Sequence, residues 1–127
     1  MWIFTDTGFV SAVLKPEHET TLTVRARDRR SLVELAELAG AEIAQSPKGD
    51  YPYRLFVEDA VFAQWVADQA MKITYSNFKS RVHKTRGYDY THSLHNVWAA
   101  MLDTEDEEAR NNEPVWVVPS TNFETRE

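Results

Sequence analysis

Apolar and turn residues alternate over the first 27 positions in a pattern typical of β-strands. Apolar runs at residues 1–5 and 9–14 flank a polar turn that ends in Gly8, and this arrangement predicts a β-hairpin. Residues 21–27 alternate strictly between apolar side chains and threonines or arginines. They therefore predict a third strand with one buried side.

The spacing of apolar residues becomes helical after the third strand. A stripe of leucines and alanines predicts a helix that Asp28 caps and Gly40 ends. A second hairpin follows at residues 42–57, with its turn at residues 47–50. Asp59 is then expected to cap another helix, whose predicted buried side consists of Phe62, Trp65, Val66, Ala70 and Ile73.

Residues 75–98 predict two further helices that meet at Gly87. Ser76 is expected to cap the first of them and Asp89 the second. The apolar side chains of both helices are expected to belong to a core, and they are Phe78, Val82, Leu94, Val97, Trp98 and Met101.

The predicted order of elements is β-β-β-α-β-β-α-α-α. Because the strands occur in hairpins, we expect a mostly antiparallel sheet of about five strands with helices on one face. This is an α+β two-layer domain, ferredoxin-like in part, and we expect it to span residues 1–102. Residues 103–127 are expected to form an acidic linker and a short extended tail, VWVV, between Pro114 and Pro119.

Length and composition describe an ordinary globular chain of one domain, with 127 residues of which 43% are hydrophobic. The absence of cysteine excludes disulfides and thiolate chemistry. The N-terminus lacks a basic region and contains Asp6, so no signal peptide is expected. No apolar run is long enough for a membrane span. A cytoplasmic protein without a membrane partner is therefore expected.

The formal net charge of −6 is unevenly distributed. Residues 103–127 carry eight acidic and two basic residues, and the rest of the chain has 12 of each. Within that neutral body, residues 71–98 hold five basic residues and only Asp89 as an acid. The acidity therefore belongs to the C-terminal segment, and local positive charge belongs to the predicted third helix.

The motifs MWIFTDTGFVSAV, TVRAR, DYPYRLFV, YSNFK and YTHSLHNVWAAM follow one another over about residues 1–102. In this order they resemble a family of small hypothetical proteins from actinobacteria and from the phages that infect them. The acidic linker and the VWVV tail lie outside the resemblance. It implies an accessory role in a phage or mobile element, and it transfers no activity or catalytic residue.

The spacing of three histidines is compatible with a metal site. His92 and His95 are spaced i, i+3 on a predicted helix, close enough to share a metal ion, and His83 is a third candidate ligand. The chain has no cysteine and no H-E-x-x-H motif. We therefore favour structural roles for these histidines and keep His92 and His95 as weak metal candidates. No cofactor is predicted.

Acid–base catalysis is the second chemistry. His95 is a weak candidate for a general base, and Lys79, Arg81 and Arg86 are candidates for holding a phosphate. The chain contains no paired-carboxylate motif, no nucleophile motif and no glycine-rich phosphate loop. The sequence therefore favours a protein that is not an enzyme.

Recognition of phosphate is the alternative function. Arg25 and Arg27 share one face of the third strand, and Arg54 on the second hairpin is expected nearby with Tyr51 and Tyr53. Aromatic and basic side chains on a sheet face can stack bases and bind phosphates. The domain is not basic overall, which disfavours a nucleic-acid binder of the usual kind.

Contact with another protein, or with a second copy of the chain, is the function that the sequence favours. Trp116 and Val117 in the VWVV tail are the leading contact residues, because aromatic anchors dominate interface energetics. The tail is expected to pair with the edge of a sheet in its own domain, a second copy or a partner. The basic and aromatic segment from Lys79 to Tyr90 is the second candidate surface.

Overall fold

The computed structural model describes residues 1–46 and 49–111. They form two compact units, one spanning Met1–Thr74 and the other beginning at Tyr75. The elements follow the predicted order, and the α+β fold class is confirmed. The strands are β1 (Trp2–Thr5), β2 (Gly8–Val13), β3 (Leu22–Ala26), β4 (Ala44–Gln45) and β5 (Tyr53–Val57), and the helices are α1 (Arg30–Ala39), α2 (Asp59–Met71), α3 (Phe78–Arg86), α4 (Tyr88–Met101) and α5 (Glu107–Asn111).

The described strands form one antiparallel sheet in the order β1-β2-β3-β5-β4. Strand β5 lies between β3 and β4, so β3, α1 and β4 make a split β-α-β unit of the ferredoxin-like kind. The N-terminal hairpin extends this sheet on its other side, where β2 pairs with β3. The sheet therefore has β1 and the two-residue β4 at its edges.

Close contact at Gly8 joins the N-terminal hairpin to the start of α1. A Cβ at Gly8 would overlap the hydroxyl of Ser31. That hydroxyl accepts a hydrogen bond from the Phe9 amide at 3.2 Å and donates one to Asp28 Oδ1 at 2.7 Å. Asp28 also accepts from the Ser31 amide at 2.9 Å, as a capping residue does, although the helix begins at Arg30.

The core of the first unit lies between one sheet face and the helices α1 and α2. Leu32 and Leu35 from α1 and Trp65 from α2 are almost completely buried there. The expectation that Ala70 and Ile73 are buried is wrong. Ala70 is exposed on α2, and Ile73 lies beyond the end of α2 at Met71 and is 53% exposed. The core residues are Val10, Ala12, Val24, Ala26, Leu32, Leu35, Ala36, Leu55, Val57, Phe62 and Trp65.

Three of the predicted caps are wrong by one or two residues. The cap of α3 is Asn77, whose Oδ1 accepts from the Ser80 amide at 2.8 Å, and not Ser76. Asp89 lies within the first turn of α4, after Gly87 at φ 90°. Asp59 likewise lies within the first turn of α2 and does not cap it.

The prediction that the apolar side of α4 is core is wrong for its last turn. Leu94 is buried, as is Val82 on α3, but Val97, Trp98 and Met101 are 40%, 49% and 56% exposed. Helix α4 has 14 residues and its neighbour α3 has nine. Lys79 at the start of α3 lies 4.7 Å from the Trp98 ring, but it leaves these apolar residues largely exposed.

The acidic segment after Leu102 is not entirely extended. A 3₁₀ turn spans Leu102–Thr104, and α5 follows. Asp106 Oδ1 accepts from the Ala109 amide at 2.8 Å at the start of α5. No helix in the described part of the chain is long and apolar enough to cross a membrane.

Candidate functional site

Two arginines stand directly opposite each other on neighbouring strands. Arg25 on β3 is the register partner of Arg54 on β5, so both side chains leave the same face of the sheet. This is the face opposite the helical core, because the core residues Val24 and Leu55 are the adjacent pair in the same ladder. The structure thus brings together two of the arginines selected from the sequence.

Arg27 lies beside Arg25, because both guanidinium groups pack on the ring of Tyr51. The guanidinium carbons of Arg25 and Arg27 lie 4.6 and 4.7 Å from the centre of the Tyr51 ring. Nη1 of Arg27 donates to the carbonyl oxygen of Asp50 at 2.6 Å. Arg25, Arg27 and Arg54 are hereafter the arginine cluster. Their positions follow from the strand register and from the turn that precedes β5.

The arginine cluster holds positive charge that no carboxylate neutralises. Within residues 1–46 and 49–111, none of the three forms an ion pair. Arg25 donates from Nη2 to Ser11 Oγ at 2.9 Å, and Arg54 makes no hydrogen bond with a described residue. The side chain of Arg54 reaches the turn before β5, where a Cβ on Gly49 would lie 3.6 Å from its Nη2.

This arrangement is unfavourable without a ligand. Like charges directly opposite on neighbouring strands are destabilising. The Nε atoms of Arg25 and Arg54 are also buried without a hydrogen-bond partner, and each such group costs about 1–3 kcal/mol. Buried donors left unpaired in a native protein require a reason, and a bound ion is one of the common ones. An oxyanion bound by the two guanidiniums would neutralise the repulsion between them.

Most of the basic side chains on α3 lie against aromatic rings. Lys79 lies 4.7 Å from the ring of Trp98, Arg81 lies 5.9 Å from that of Tyr75, and Arg86 lies 3.9 Å from that of Tyr90. Cation–aromatic contacts of this kind stabilise a fold by about 0.5–1 kcal/mol at exposed sites. The basic residues of α3 are thus tied to rings of their own unit.

The histidines of the second unit pack against different rings. His92 stacks on Tyr88 with ring centres 6.3 Å apart, and His83 meets the same tyrosine edge-on at 6.4 Å. His95 stacks on Trp98 at 5.6 Å. Among residues 1–46 and 49–111, no three His, Cys, Asp or Glu side chains are grouped closely enough to hold a metal ion.

Some residues predicted for a site are not brought into the cluster. His95 lies in the second unit, whereas the arginines lie in the first. Trp116 and Val117 lie outside the described residues, so their predicted contact role stays a prediction. Sequence reasoning missed Ser11, which is buried and bonded to Arg25. The available signal was its position in an otherwise apolar strand.

No family model, curated protein or solved structure matches this chain. A function must therefore be argued from the residues themselves.

Proposed function

We propose that this chain is a non-enzymatic binding protein that recognises a phosphoryl group through the arginine cluster. The observation that carries the proposal is the direct opposition of Arg25 and Arg54, which no carboxylate in residues 1–46 or 49–111 neutralises. Guanidinium groups match the geometry of phosphate oxygens and stay charged at every relevant pH. Arg27, held by the Asp50 carbonyl and the Tyr51 ring, adds a third cation.

The location of the cluster also supports binding over catalysis. Its neighbours Ser11 and Thr23 are buried, and no histidine or carboxylate of the described residues is hydrogen-bonded to any of the three arginines. General acid–base chemistry needs such a group within hydrogen-bond reach of the reacting atoms. The cluster offers charge and orientation, which are the requirements of recognition.

Inorganic phosphate is the simplest probe of this proposal. We expect phosphate, titrated at constant ionic strength, to shift the Nε–Hε NMR signals of Arg25 and Arg54. Arg54→Gln should abolish the shift at Arg25. The matched control is Arg29→Gln, because Arg29 is an exposed arginine of the same unit that lies 6.0 Å from the Tyr53 ring, outside the cluster. Shifts that are absent, or that survive in Arg54→Gln, would contradict the proposal.

Stability provides an independent measurement. Without phosphate, Arg54→Gln should unfold at the same urea concentration as the unmodified protein or at a higher one, since it removes a like-charge pair worth about 0.2–1 kcal/mol. With phosphate, only the unmodified protein and Arg29→Gln should gain stability, because a ligand stabilises the state that binds it. A clear loss of stability in phosphate-free Arg54→Gln would instead indicate a purely structural guanidinium.

Protein contact is a second proposal, and Trp2 supports it among the described residues. Trp2 is 69% exposed and lies on the edge strand β1, which leaves one side of its backbone available for strand addition. The tail residues Trp116 and Val117 belong to this proposal as predicted partners of a sheet edge. Its test compares the solution mass and stability of the intact chain with those of a chain truncated after Leu102. Equal values would remove the tail from the proposal.

An accessory role in a phage or mobile element stays a prediction of the sequence resemblance. Both proposals are compatible with it, since each describes binding without chemistry.

A further inference from the structure

The arginine pair belongs to a longer row of side chains that crosses the sheet. Register partners connect Trp2 on β1 with Ser11 on β2, Ser11 with Arg25, Arg25 with Arg54, and Arg54 with Ala44 on β4. Directly opposed residues point to the same face of a sheet, so these five residues share the face opposite the core. We refer to them as the cross-strand row.

A neighbouring row on the same face carries a second aromatic platform. Val13, Thr23 and Phe56 are register partners two positions along their strands from the cross-strand row. Phe56 is 37% exposed, and the His18 ring lies beside it with centres 4.5 Å apart. Phe56 is two residues from Arg54 on β5, so its side chain leaves the same face of the sheet as that of Arg54.

Trp2 is the other aromatic platform, and Phe9 packs against one side of its ring. Its ring meets Phe9 edge-on at 5.7 Å, and Phe9 stacks on Phe4 at 4.5 Å. The opposite side of Trp2 is available, because 69% of the residue is exposed. Trp2 and Arg54 are three strands apart, which corresponds to about 14 Å. The face thus has one exposed ring on β1 and another on β5, together with Arg25 on β3 and Arg54 on β5.

Single-stranded nucleic acid alternates in the same way between flat apolar bases and anionic phosphates. Sheet faces bind it by stacking two or three bases on aromatic side chains and pairing the backbone with cations. A phosphorylated protein or a free phosphate would use the guanidiniums without needing exposed rings on both sides of them. A duplex would need the broad basic surface that a chain of net charge −6 lacks.

We propose that the cross-strand row and the neighbouring Phe56 bind a short segment of single-stranded nucleic acid, with bases stacked on Trp2 and Phe56 and phosphates held by the arginine cluster. This inference rests on the proposed phosphoryl recognition and adds the class of ligand. With three arginines in contact, the logarithm of affinity should fall with the logarithm of salt concentration at a slope of about −2, since each phosphate contact contributes about 0.7 for single strands.

The test is the fluorescence anisotropy of a labelled oligothymidylate of eight nucleotides, titrated with the full chain at low salt. Loss of one stacked base by Trp2→Ala should weaken binding by about 5- to 100-fold, whereas Trp2→Phe should retain most of the affinity. Phe56→Ser should act like Trp2→Ala. Tyr88→Ala is the matched control, because Tyr88 is 70% exposed but belongs to the second unit, and it should bind normally.

A base-free chain of the same length separates the two proposals. An abasic deoxyribose-phosphate oligomer should bind more weakly than oligothymidylate and should be insensitive to Trp2→Ala. Equal affinity of both oligomers, with no effect of Trp2→Ala on either, would overturn the nucleic-acid inference and leave phosphoryl recognition standing. Absence of binding by both oligomers and by inorganic phosphate would overturn both proposals.

A second copy of the chain is the other occupant that the test must detect. The solution mass of the unliganded protein should therefore be measured over the concentration range of the titration. A mass that rises with concentration and returns to that of the monomer in Trp2→Ala would assign the row to self-association and overturn the inference. A constant mass, with binding that depends on Trp2 and Arg54, would support it.

Discussion

The absence of a side chain at Gly8 allows the N-terminal hairpin to pack closely against Ser31 at the start of α1. The Ser31 hydroxyl occupies the volume where a Cβ of residue 8 would lie, and from there it reaches both the Phe9 amide and Asp28. The sequence suggested Gly8 only as a turn residue with a positive φ. Its actual requirement is space, since Gly8 is not among the glycines with positive φ. Contacts between distant residues of this kind cannot be inferred from local sequence.

Gly8→Ala should lower the free energy of unfolding by about 1–3 kcal/mol, the usual effect of forcing a methyl group into a packed site. Urea unfolding followed by circular dichroism measures this change. Repeating the substitution in a Ser31→Gly background removes the two nearest obstructing atoms and leaves only the Cα of residue 31, at 2.9 Å, so the second cost should be smaller than the first. Equal costs in the two backgrounds would show that Ser31 is not the obstacle.

Asn77 and Ser76 allow a direct test of a cap that the sequence misplaced by one residue. Both residue types favour the start of a helix, so composition alone does not choose between them. Asn77→Ala should cost about 1 kcal/mol, because the Ser80 amide loses its acceptor. Ser76→Ala should change stability by less than about 0.5 kcal/mol. A larger loss of stability in Ser76→Ala than in Asn77→Ala would show that Ser76 caps α3.

At the level of elements, strand existence and order along the chain were predictable, but strand neighbours were not. Alternation in residues 21–27 and the turn before residue 51 indicated strands correctly. Nothing local indicated that β5 pairs with β3, and that pairing places Arg54 opposite Arg25. The sequence therefore identified the residue types of the candidate site. Their arrangement depended on the register between β3 and β5, which the sequence did not show.

Helices α1 and α2 are joined by a polar contact that responds to pH. Glu34 on α1 accepts from Gln69 Nε2 at 2.8 Å and forms an ion pair with Lys72, just beyond α2. Burial raises the pKa of the Glu34 carboxyl, but the hydrogen bonds from Lys72 and Gln69 and the charge of Lys72 outweigh it. The pKa therefore lies below its ordinary value.

A lowered carboxyl pKa stabilises the folded protein above the ordinary pKa of 4.5, and that contribution is lost as the pH falls through the lowered pKa. Because both partners are 40–49% exposed, we expect no more than about 1 kcal/mol. Glu34→Gln should thus be less stable than the unmodified protein at pH 7 and equally stable in strong acid. Glu37→Gln, on the same helix, is the control, and a difference that persists at low pH would argue against the contact.

For the molecule as a whole, the hydrophobic core cluster lies entirely within the first unit. Its members extend from Val10 to Trp65, and the sheet ends at Val57. The sequence predicted a single domain to residue 102 because the helical pattern continues without an evident linker, and that boundary stays a prediction. Periodicity reports which residues are apolar, but it does not report which element covers them. The exposed last turn of α4 is the clearest example.

A fragment of residues 1–74 should fold cooperatively, because it retains every core residue and all five described strands. Thermal unfolding with circular dichroism and NMR dispersion would measure this. A fragment of residues 1–57 is the matched control; it keeps the sheet but loses Phe62 and Trp65, and it should remain unfolded. An unfolded 1–74 fragment would mean that the core cluster is insufficient on its own.

Three tryptophans in the described part of the chain occupy three different environments. Trp65 is 2% exposed and its indole N–H lacks a hydrogen-bond partner, Trp2 is 69% exposed, and Trp98 is 49% exposed beside Lys79. Indole emission shifts to the blue in apolar surroundings, and aqueous iodide quenches only accessible rings. These three described tryptophans consequently contribute a composite emission whose blue component reports the sheet–helix core and whose quenchable component reports the surface, and a Trp116→Phe background removes the emission of the fourth. A spectroscopist can follow each without attaching a dye.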